Sequence, residues 1–405
     1  MEPIILNGYH TLIAATLVLL VGHFLVGKIK FLQDFNIPEA VAGGLVAATV
    51  IFCLYNWAGI SFQFEKSLQN AFMLAFFASV GLSADFSRLK QGGMPLVIFL
   101  IIVGVFIVIQ NAVGVGLATA LGLDPLVGLI TGSITLTGGH GTGAAWAKIF
   151  SEQYGISGIM EMAMASATFG LVAGGLVGGP VARRLVNKMK KDRKQHSKKV
   201  DASAEQYDDS TFEDADSVRF ITASSTIETM ALFAACLAFS SVMANSFPDL
   251  GLPQFVWALG FGVILRNVLT AVFKFDMFDR AIDVFGNASL SLFLAMALMS
   301  IKLWELAGLA GPMLIILTVQ TLVMILYGYF VTFRVMGKDY DAAILTAGHC
   351  GFGLGATPTA VANMQSVTEA FGPSHKAFLI VPLVGAFFVD LLNLGVITWF
   401  VEFLR

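Results

Sequence analysis

The chain has 405 residues, of which 57% are hydrophobic and only 13% are charged, which leaves too little polar surface for a water-soluble protein of this length. The lipid bilayer is therefore its expected solvent, and no nucleic-acid partner is expected. Three cysteines in apolar segments, without CxxC spacing, predict neither a disulfide framework nor a transition-metal site. The first residues lack the basic region and cleavage site of a secretory signal, so the first span should be retained.

Apolar runs of about 20 residues predict an all-α integral membrane protein with five spanning helices in each half of the chain. In the first half we predict helices at Thr11–Gly27, Pro38–Ala58, Ala71–Ala84, Met94–Ala120 and Met160–Val186. In the second half we predict helices at Arg219–Asn245, Pro253–Phe273, Ala281–Ile301, Leu306–Val335 and His375–Val401.

Between the fourth and fifth predicted helices of each half lies a stretch with too much glycine and proline for one straight helix. We predict re-entrant hairpins at 126–148 and 342–366, each with two half-helices and a non-helical tip. Unpaired backbone is costly in hydrocarbon, so such a break survives only when it is buried in protein or lines a watery cavity. The hairpins therefore mark the expected binding region.

One long polar tract, Met189–Ser217, begins basic and ends acidic and holds almost nothing apolar to bury. This composition predicts a flexible linker, with lipid or partner binding as the less favoured interpretation. The predicted domains are a five-helix repeat at 1–186, a linker at 187–218 and a second five-helix repeat at 219–405.

The two halves resemble each other at an offset of 217 residues, which matches Gly138 to Gly355 and Thr142 to Thr359. Five spans per half is an odd number, so the halves would cross the membrane in opposite directions. Broken helices at matching places in two inverted repeats are typical of secondary transporters, with the site at the repeat interface.

Lysine and arginine are distributed unevenly among the predicted loops. If the N-terminus is outside, all 24 except Lys66, Lys148, Lys302 and Arg405 fall on the cytoplasmic side. The positive-inside rule therefore predicts that both termini lie outside and that the linker is cytoplasmic.

At a helix break, free N–H groups favour an anion and free carbonyl groups favour a cation, while glycine allows close approach and hydroxyls both donate and accept. Such a site could hold a carboxylate and Na⁺ without many charged side chains. The simpler interpretation is that these small residues only permit close helix packing. We favour the ligand site because hydroxyls and a proline accompany the glycines in two matching clusters.

Several motifs resemble the bacterial glutamate:sodium symporters, namely GSITLTGGHGTGAAW, AGHCGFGLGATPTA, NASLSLFLAMALM, IKLWELAG and FGPSHKAFLIVPLVGAFFVD. The resemblance covers nearly the whole chain apart from the linker. It implies two five-helix halves of opposite orientation whose re-entrant loops meet at the translocation site of a bacterial inner membrane protein. The implied activity is Na⁺-driven uptake of L-glutamate, with Na⁺ as coupling ion and no other cofactor.

The resemblance places the site at the two loop motifs, Gly138–Thr142 and Gly351–Thr359. We predict substrate binding at Thr135, Thr137, Gly138, Gly139, His140, Gly141, Thr142, Gly355, Thr357 and Thr359. We predict Na⁺ binding at Gly351, Gly353, Ala356, Asn363, Asp390 and Asn393.

Other polar groups within the predicted spans are open to two interpretations. Asp390 and Asn393 lie one turn apart, and an intramembrane aspartate is usually functional, although a structural hydrogen bond is the alternative. A role for His140 as donor to the substrate and a structural role are equally supported, as are both roles for Asn111, beside Gln110. His349 is expected to be structural. Cys350 has no accompanying base or oxyanion site, so we do not expect an enzyme.

The expected mechanism is alternating access, in which Na⁺ organises the tips for glutamate and one half's hairpin unit moves against a static scaffold. Two or more Na⁺ per glutamate would make transport electrogenic. The alternatives are a Na⁺ symporter for another di- or tricarboxylate such as citrate or malate, a channel, and an intramembrane enzyme. The 41 glycines and the apolar outer faces would allow a homodimer through helices outside the hairpins.

Overall fold

A computed structural model describes residues 4–35, 37–196, 221–250, 252–300 and 309–404. Most of the predicted linker, together with Lys302, lies outside these ranges. The described chain is almost entirely helical, as expected for long apolar runs that satisfy their backbone hydrogen bonds internally. The exception is a two-residue parallel pairing of β1, Ile4–Ile5, with β2, Phe62–Gln63.

The helices of the first half are α1 Gly8–Lys28, α2 Lys30–Asp34, α3 Glu39–Ala58, α4 Lys66–Ser83, α5 Ser87–Ala120, α6 Pro125–Leu129, α7 Gly139–Tyr154 and α8 Ile159–His196. The helices of the second half are α9 Ala223–Ser246, α10 Gln254–Ala271, α11 Asp279–Met299, α12 Ala310–Tyr327, α13 Phe333–Val335, α14 Tyr340–Leu354, α15 Thr357–Phe371, α16 His375–Leu383 and α17 Val389–Leu404. Short π-helical segments continue α6 and join α12 to α13 and α16 to α17.

Within the described residues, eight helices are long and apolar enough to cross a membrane, which is what an all-α membrane protein requires. They are α1, α3, most of α5, most of α8, α9, α10, α11 and the α12–α13 unit. The other two of the ten predicted spans correspond to α4 and to α16 with α17. Neither is a single long apolar helix of this kind, for physical reasons. The first turn of α4 carries polar residues such as Lys66 and Gln69, and the π-helical segment Val384–Phe388 divides the last span into α16 and α17.

The helix α8 is longer than predicted. The sequence predicts that it ends at Val186, but the helix continues to His196 through KMKKDRKQH. Lys, Met, Arg and Gln favour helix even without an apolar face to bury, so a charged tract next to a long helix extends it. The first ten residues of the predicted linker, 187–196, are therefore helical.

The long helices pack as two bundles. The six-helix bundle contains α1, α3 and α4 from the first half and α9, α10 and α11 from the second half. The hairpin bundle contains α5 to α8 from the first half and α12 to α17 from the second half. Both broken helices therefore lie in the same bundle, and each half of the chain contributes to both bundles.

Glycines allow the closest crossings inside the six-helix bundle. A Cβ atom at Gly22 of α1 would lie 1.9 Å from Glu39 O in α3, and one at Gly81 of α4 would lie 2.2 Å from Leu259 O in α10. Small residues at such crossings are how helices commonly associate in lipid. Large apolar side chains of α1 point outward instead, as Leu20 does with 64% of its surface exposed, and this suits contact with lipid.

The guanidinium of Arg266 in α10 bridges two carboxylates at one end of the six-helix bundle. Arg266 is 5% exposed, donates from Nη2 to Asp85 Oδ2 at 3.1 Å and also pairs with Asp279 at the start of α11. Burial raises the pKa of the Asp85 carboxyl, but hydrogen bonds from Ser87 and the pairing with Arg266 outweigh burial and lower that pKa overall. The bridge fixes the α4–α5 junction against α10 and α11.

Candidate functional site at two broken helices

The first broken helix consists of α6, its π-helical continuation and α7. Gly132 has φ −104° and ψ −134°, which departs from helical geometry inside the first half-helix. The N–H groups of Thr137 and Gly138 then turn back to Ser133 O at 3.2 and 2.9 Å. Gly139 begins α7 with a left-handed φ of 69°, a conformation that favours glycine.

The second broken helix consists of α14 and α15. Gly355 has φ −137° and ψ −104°, and the extended Ala356 follows it. Pro358 lies in the first turn of α15, where its missing N–H costs nothing. A Cβ atom at Gly351 would lie 2.4 Å from Ala360 Cα, so the two half-helices pack backbone against backbone.

The side chain of Gln110, in α5, joins the two broken helices. Its Nε2 donates to Gly353 O in α14 at 3.0 Å, and its Oε1 accepts from Thr137 Oγ1 at the first break at 2.8 Å. Gln320 of α12 donates in turn to Gln110 O at 2.7 Å. Gln110 is completely buried, so this network holds both breaks in one position deep in the hairpin bundle.

The second half-helices begin at the breaks without a side-chain cap, since neither Gly138 nor Ala356 supplies one. The first half-helices are capped, by Asp124 Oδ1 on α6 and by Asp339 Oδ1 on α14. The first N–H groups of an α-helix have no partner within the helix, and the helix dipole makes that end positive. The starts of α7 and α15 therefore suit an anion chemically.

The second broken helix packs closely against glycines of α8. A Cβ atom at Gly170 would lie 2.0 Å from Leu354 O, directly before the break. Asn363 Nδ2 donates to Gly174 O at 2.8 Å, and a Cβ atom at Gly178 would collide with the same amide. These three glycines are spaced four residues apart on one face of α8 and allow it to pack closely on the second broken helix.

The hydroxyl groups of the predicted substrate residues mostly bind protein. Thr135 Oγ1 donates to Ile130 O and Thr357 Oγ1 donates to Gly385 O, both at 2.6 Å. Thr359 Oγ1 is buried and has no hydrogen-bond partner among the described residues.

The remaining predicted substrate residues of α7 face different neighbours. His140 Nε2 lies 3.1 Å from Thr168 Oγ1 of α8, within the hairpin bundle. A Cβ atom at Gly141 would lie within 3 Å of Phe76 in α4 and Leu290 in α11. Thr142 is buried like its neighbours. The start of α7 therefore lies at the boundary between the two bundles.

Only part of the predicted site reaches the molecular surface. Gly138 and Gly139 at the first break are half-buried, as are Ala356 and Thr357 at the second, and Pro358 is exposed. The other predicted residues of the two loop motifs are buried. The accessible positions are therefore the two uncapped helix starts.

Two of the predicted Na⁺ residues, both in α14, have other roles in the structure. The carbonyl oxygen of Gly353 accepts a hydrogen bond from Gln110, and Gly351 allows α14 to pack against α15. Asn393 Nδ2 of α17 reaches the first break and donates to Ser133 O at 2.9 Å. Asp390, one turn earlier, is half-buried and makes no hydrogen bond among the described residues.

The sequence analysis missed Ser133 and Thr168, which bind residues of the first break, and Gln320, which binds the backbone of Gln110. The signal for Gln320 was present, because a lone glutamine in the apolar run LTVQTLV is expensive in a membrane unless it has a partner. The expectation for His349 agrees with the structure, since its ring packs against Phe99 and Phe106 and its Nδ1 lies 2.9 Å from Thr332 Oγ1.

The sequence matches a family model and curated proteins over nearly its full length. The family model described as Sodium/glutamate symporter matches residues 4–373. A sodium/glutamate symporter from Haemophilus influenzae is 54% identical over 389 residues, which cover 96% of this chain and 95% of that protein. One from Escherichia coli is 55% identical over 395 residues, which cover 97% and 96%. Through these matches, which include both broken helices, the chain is shown to belong to the sodium/glutamate symporter family.

Proposed function

We propose that this protein is a secondary transporter that couples uptake of L-glutamate to Na⁺ across the bacterial inner membrane. The observation that carries the proposal is the pair of broken helices joined through Gln110 in a chain of the sodium/glutamate symporter family. The relatives are named as symporters, which favours transport over the enzyme alternative.

The substrate carboxylates would bind at the starts of α7 and α15. These helix ends have no side-chain cap and reach the surface at Gly138, Gly139 and Thr357, so their first N–H groups point toward a ligand. Two anion sites on two half-helices suit a dicarboxylate such as glutamate. The half-buried carboxylate of Asp390 is the group we assign to a cationic partner, either the substrate ammonium or Na⁺.

The two halves would be inverted repeats, and the broken helices would be re-entrant hairpins. The offset of 217 residues and the contribution of three helices from each half to the six-helix bundle support this arrangement. The distribution of basic residues supports termini on the outside and the linker in the cytoplasm. A homodimer would use an exposed apolar face of the six-helix bundle, such as that of α1.

Alternating access would move the hairpin bundle as one unit against the six-helix bundle. Because Gln110 ties both broken helices together, we propose that they move jointly, which replaces the expectation that one half's hairpin moves alone. With two or more Na⁺ per glutamate, each net positive charge that enters gains about 2.3 kcal/mol per 100 mV.

Two polar contacts cross between the bundles beside a cavity of about 330 Å³ lined by Lys66, Lys148 and Glu152. Lys66 Nζ of α4 lies 3.2 Å from Glu152 Oε1 of α7, and Lys148 Nζ donates to Asn70 Oδ1 at 3.0 Å. Cysteines at Lys66 and Glu152, joined by a short bifunctional thiol reagent in a background without the three native cysteines, should stop glutamate uptake. Uptake should return when a cleavable reagent is reduced.

The matched control joins two helices of the same bundle. Ser83 Oγ of α4 lies 3.3 Å from Asp283 Oδ1 of α11, so cysteines at these positions accept the same reagent. The account predicts normal uptake with this link in place. Equal uptake by the two linked variants would rule out relative motion of the bundles at Lys66 and Glu152.

A further inference from the structure

Four buried polar side chains surround Gly132, where the first half-helix departs from helical geometry. A Cβ atom at Gly132 would lie 3.1 Å from Asn111 Oδ1 and 3.6 Å from Gln320 Nε2. Asn111 Oδ1 accepts from Ser133 N at 3.0 Å, and Asn393 Nδ2 donates to Ser133 O at 2.9 Å. Asn111, Ser133 and Gln320 have no exposed surface, and Asn393 is 1% exposed. The cluster thus joins α5, α12 and α17 at one point behind the tip.

Three oxygen atoms of this cluster have no hydrogen-bond partner among the described residues, namely Ser133 Oγ, Gln320 Oε1 and Asn393 Oδ1. Both amide orientations are fixed, because Gln320 Nε2 donates to Gln110 O and Asn393 Nδ2 donates to Ser133 O. Both amide oxygens are therefore acceptors without a donor, and the Ser133 hydroxyl can turn its lone pairs toward a ligand. Buried polar groups are rarely left in that state without a ligand or ordered water.

A hard cation such as Na⁺ would supply a partner for these three oxygen atoms, because hydroxyl, carbonyl and carboxylate oxygens are the ligands that hard cations prefer. The helix α17 also carries a carboxylate, that of Asp390. Asp390 lies one turn before Asn393 on the same face, where Cβ atoms are about 5–6 Å apart. The remaining unpaired donor, Asn111 Nδ2, suits a water molecule that completes the coordination.

We propose that Ser133, Gln320 and Asn393, with Asp390 one turn away, form a Na⁺ site inside the first broken helix. The proposal rests on the proposed Na⁺-coupled transport and adds a location for one of the ions. Asn393 already joins the first half-helix to α17, and Na⁺ bound here would also join it to Gln320 of α12 and so fix the helix that leads to the first tip.

The described residues of the second broken helix do not repeat this arrangement. At the offset of 217 residues, the position that matches Gly132 is His349. At this position the imidazole Nδ1 lies 2.9 Å from Thr332 Oγ1 and the ring packs against Phe99 and Phe106. We therefore expect this Na⁺ site in the first half of the chain and not in the second.

Ser133→Ala tests the proposal because Ser133 Oγ makes no hydrogen bond to the described residues, so a purely structural role predicts no loss. If the hydroxyl is a Na⁺ ligand, the Na⁺ concentration for half-maximal glutamate uptake into proteoliposomes should rise about tenfold or more. Choline replaces Na⁺ to keep the ionic strength constant. Ser133→Cys, which replaces a hard ligand with a soft one at nearly the same volume, should give the same shift if the alanine variant folds poorly.

The control is Thr270→Val in α10, which removes another buried hydroxyl without a partner, but in the six-helix bundle. Its Na⁺ dependence should equal that of the wild type. A second readout is the thermal midpoint without glutamate, which Na⁺ should raise less in Ser133→Ala than in the wild type and in Thr270→Val.

The outcomes separate this inference from the proposed function. Na⁺-dependent uptake with identical Na⁺ dependence in Ser133→Ala and the wild type would overturn the site and leave the transporter intact, with ordered water only in the cluster. A rate of glutamate uptake by the wild type that does not depend on Na⁺ would overturn the proposed function. In that case, a Na⁺-induced rise in the thermal midpoint that is smaller in Ser133→Ala than in the wild type would still establish the site.

Discussion

Glutamate uptake by Gln110→Leu should fall about tenfold or more, because the substitution removes the side chain that joins the two broken helices. Leucine has a similar size but removes the 2.8 Å acceptor of Thr137 Oγ1 and the 3.0 Å donor to Gly353 O, so only the longer 3.4 Å hydrogen bond from Thr137 Oγ1 to Gly353 O still joins the two breaks. A buried polar group that loses its partner costs about 1–3 kcal/mol. The measurement is the initial uptake rate per folded protein in proteoliposomes.

Gln254→Leu is the matched control for this substitution. Gln254 Nε2 donates to Ser240 Oγ at 3.3 Å inside the six-helix bundle, so the control also loses one amide hydrogen bond. It should keep near wild-type uptake once the amount of folded protein is equalised. If Gln110→Leu transports as well as Gln254→Leu, the two tips do not depend on this bridge.

Gly170→Ala should destabilise the protein and abolish most uptake, because the added methyl group has no room. Its carbon would lie 2.0 Å from the backbone oxygen of Leu354, and backbone cannot rotate away as a flexible side chain can. Relief requires α8 to separate from α14 at the second break. Overpacking of this kind costs about 1–3 kcal/mol or more and should lower the thermal midpoint in detergent.

The control for this glycine lies on another long helix. A Cβ atom at Gly116 of α5 would meet nothing within 4 Å, so Gly116→Ala should be neutral or stabilise the helix by about 0.5–1 kcal/mol. Equal thermal midpoints for the two alanine variants would contradict the packing of α8 on the second broken helix.

The positions of the two breaks were predictable from local chemistry, because glycine, proline and hydroxyl residues gather at Gly138 and Gly355. The lengths of the half-helices were less predictable. The sequence places the hairpins at 126–148 and 342–366, whereas the half-helices extend to Tyr154 and Phe371. Each second half-helix continues to the glycine that ends it, Gly155 after α7 and Gly372 after α15.

The division into two bundles was not predictable from hydropathy. Helices in lipid are apolar on every side, so periodicity does not reveal which face meets which neighbour. The bridge from Gln110 to Gly353 spans 243 residues of sequence and has no local signal. Gly351 illustrates the same difficulty, because a glycine that packs one half-helix on the other and a glycine that admits an ion are identical in sequence.

The central claim, Na⁺-coupled uptake of glutamate, is tested most directly with radiolabelled L-glutamate and purified protein in liposomes. An inward Na⁺ gradient should drive accumulation, a membrane potential that is negative inside should increase it, and K⁺ in place of Na⁺ should abolish it. Unlabelled L-glutamate should compete with the label, whereas citrate and malate should not. Accumulation that is the same in Na⁺ and K⁺, or that citrate or malate displaces better than glutamate, would contradict the account.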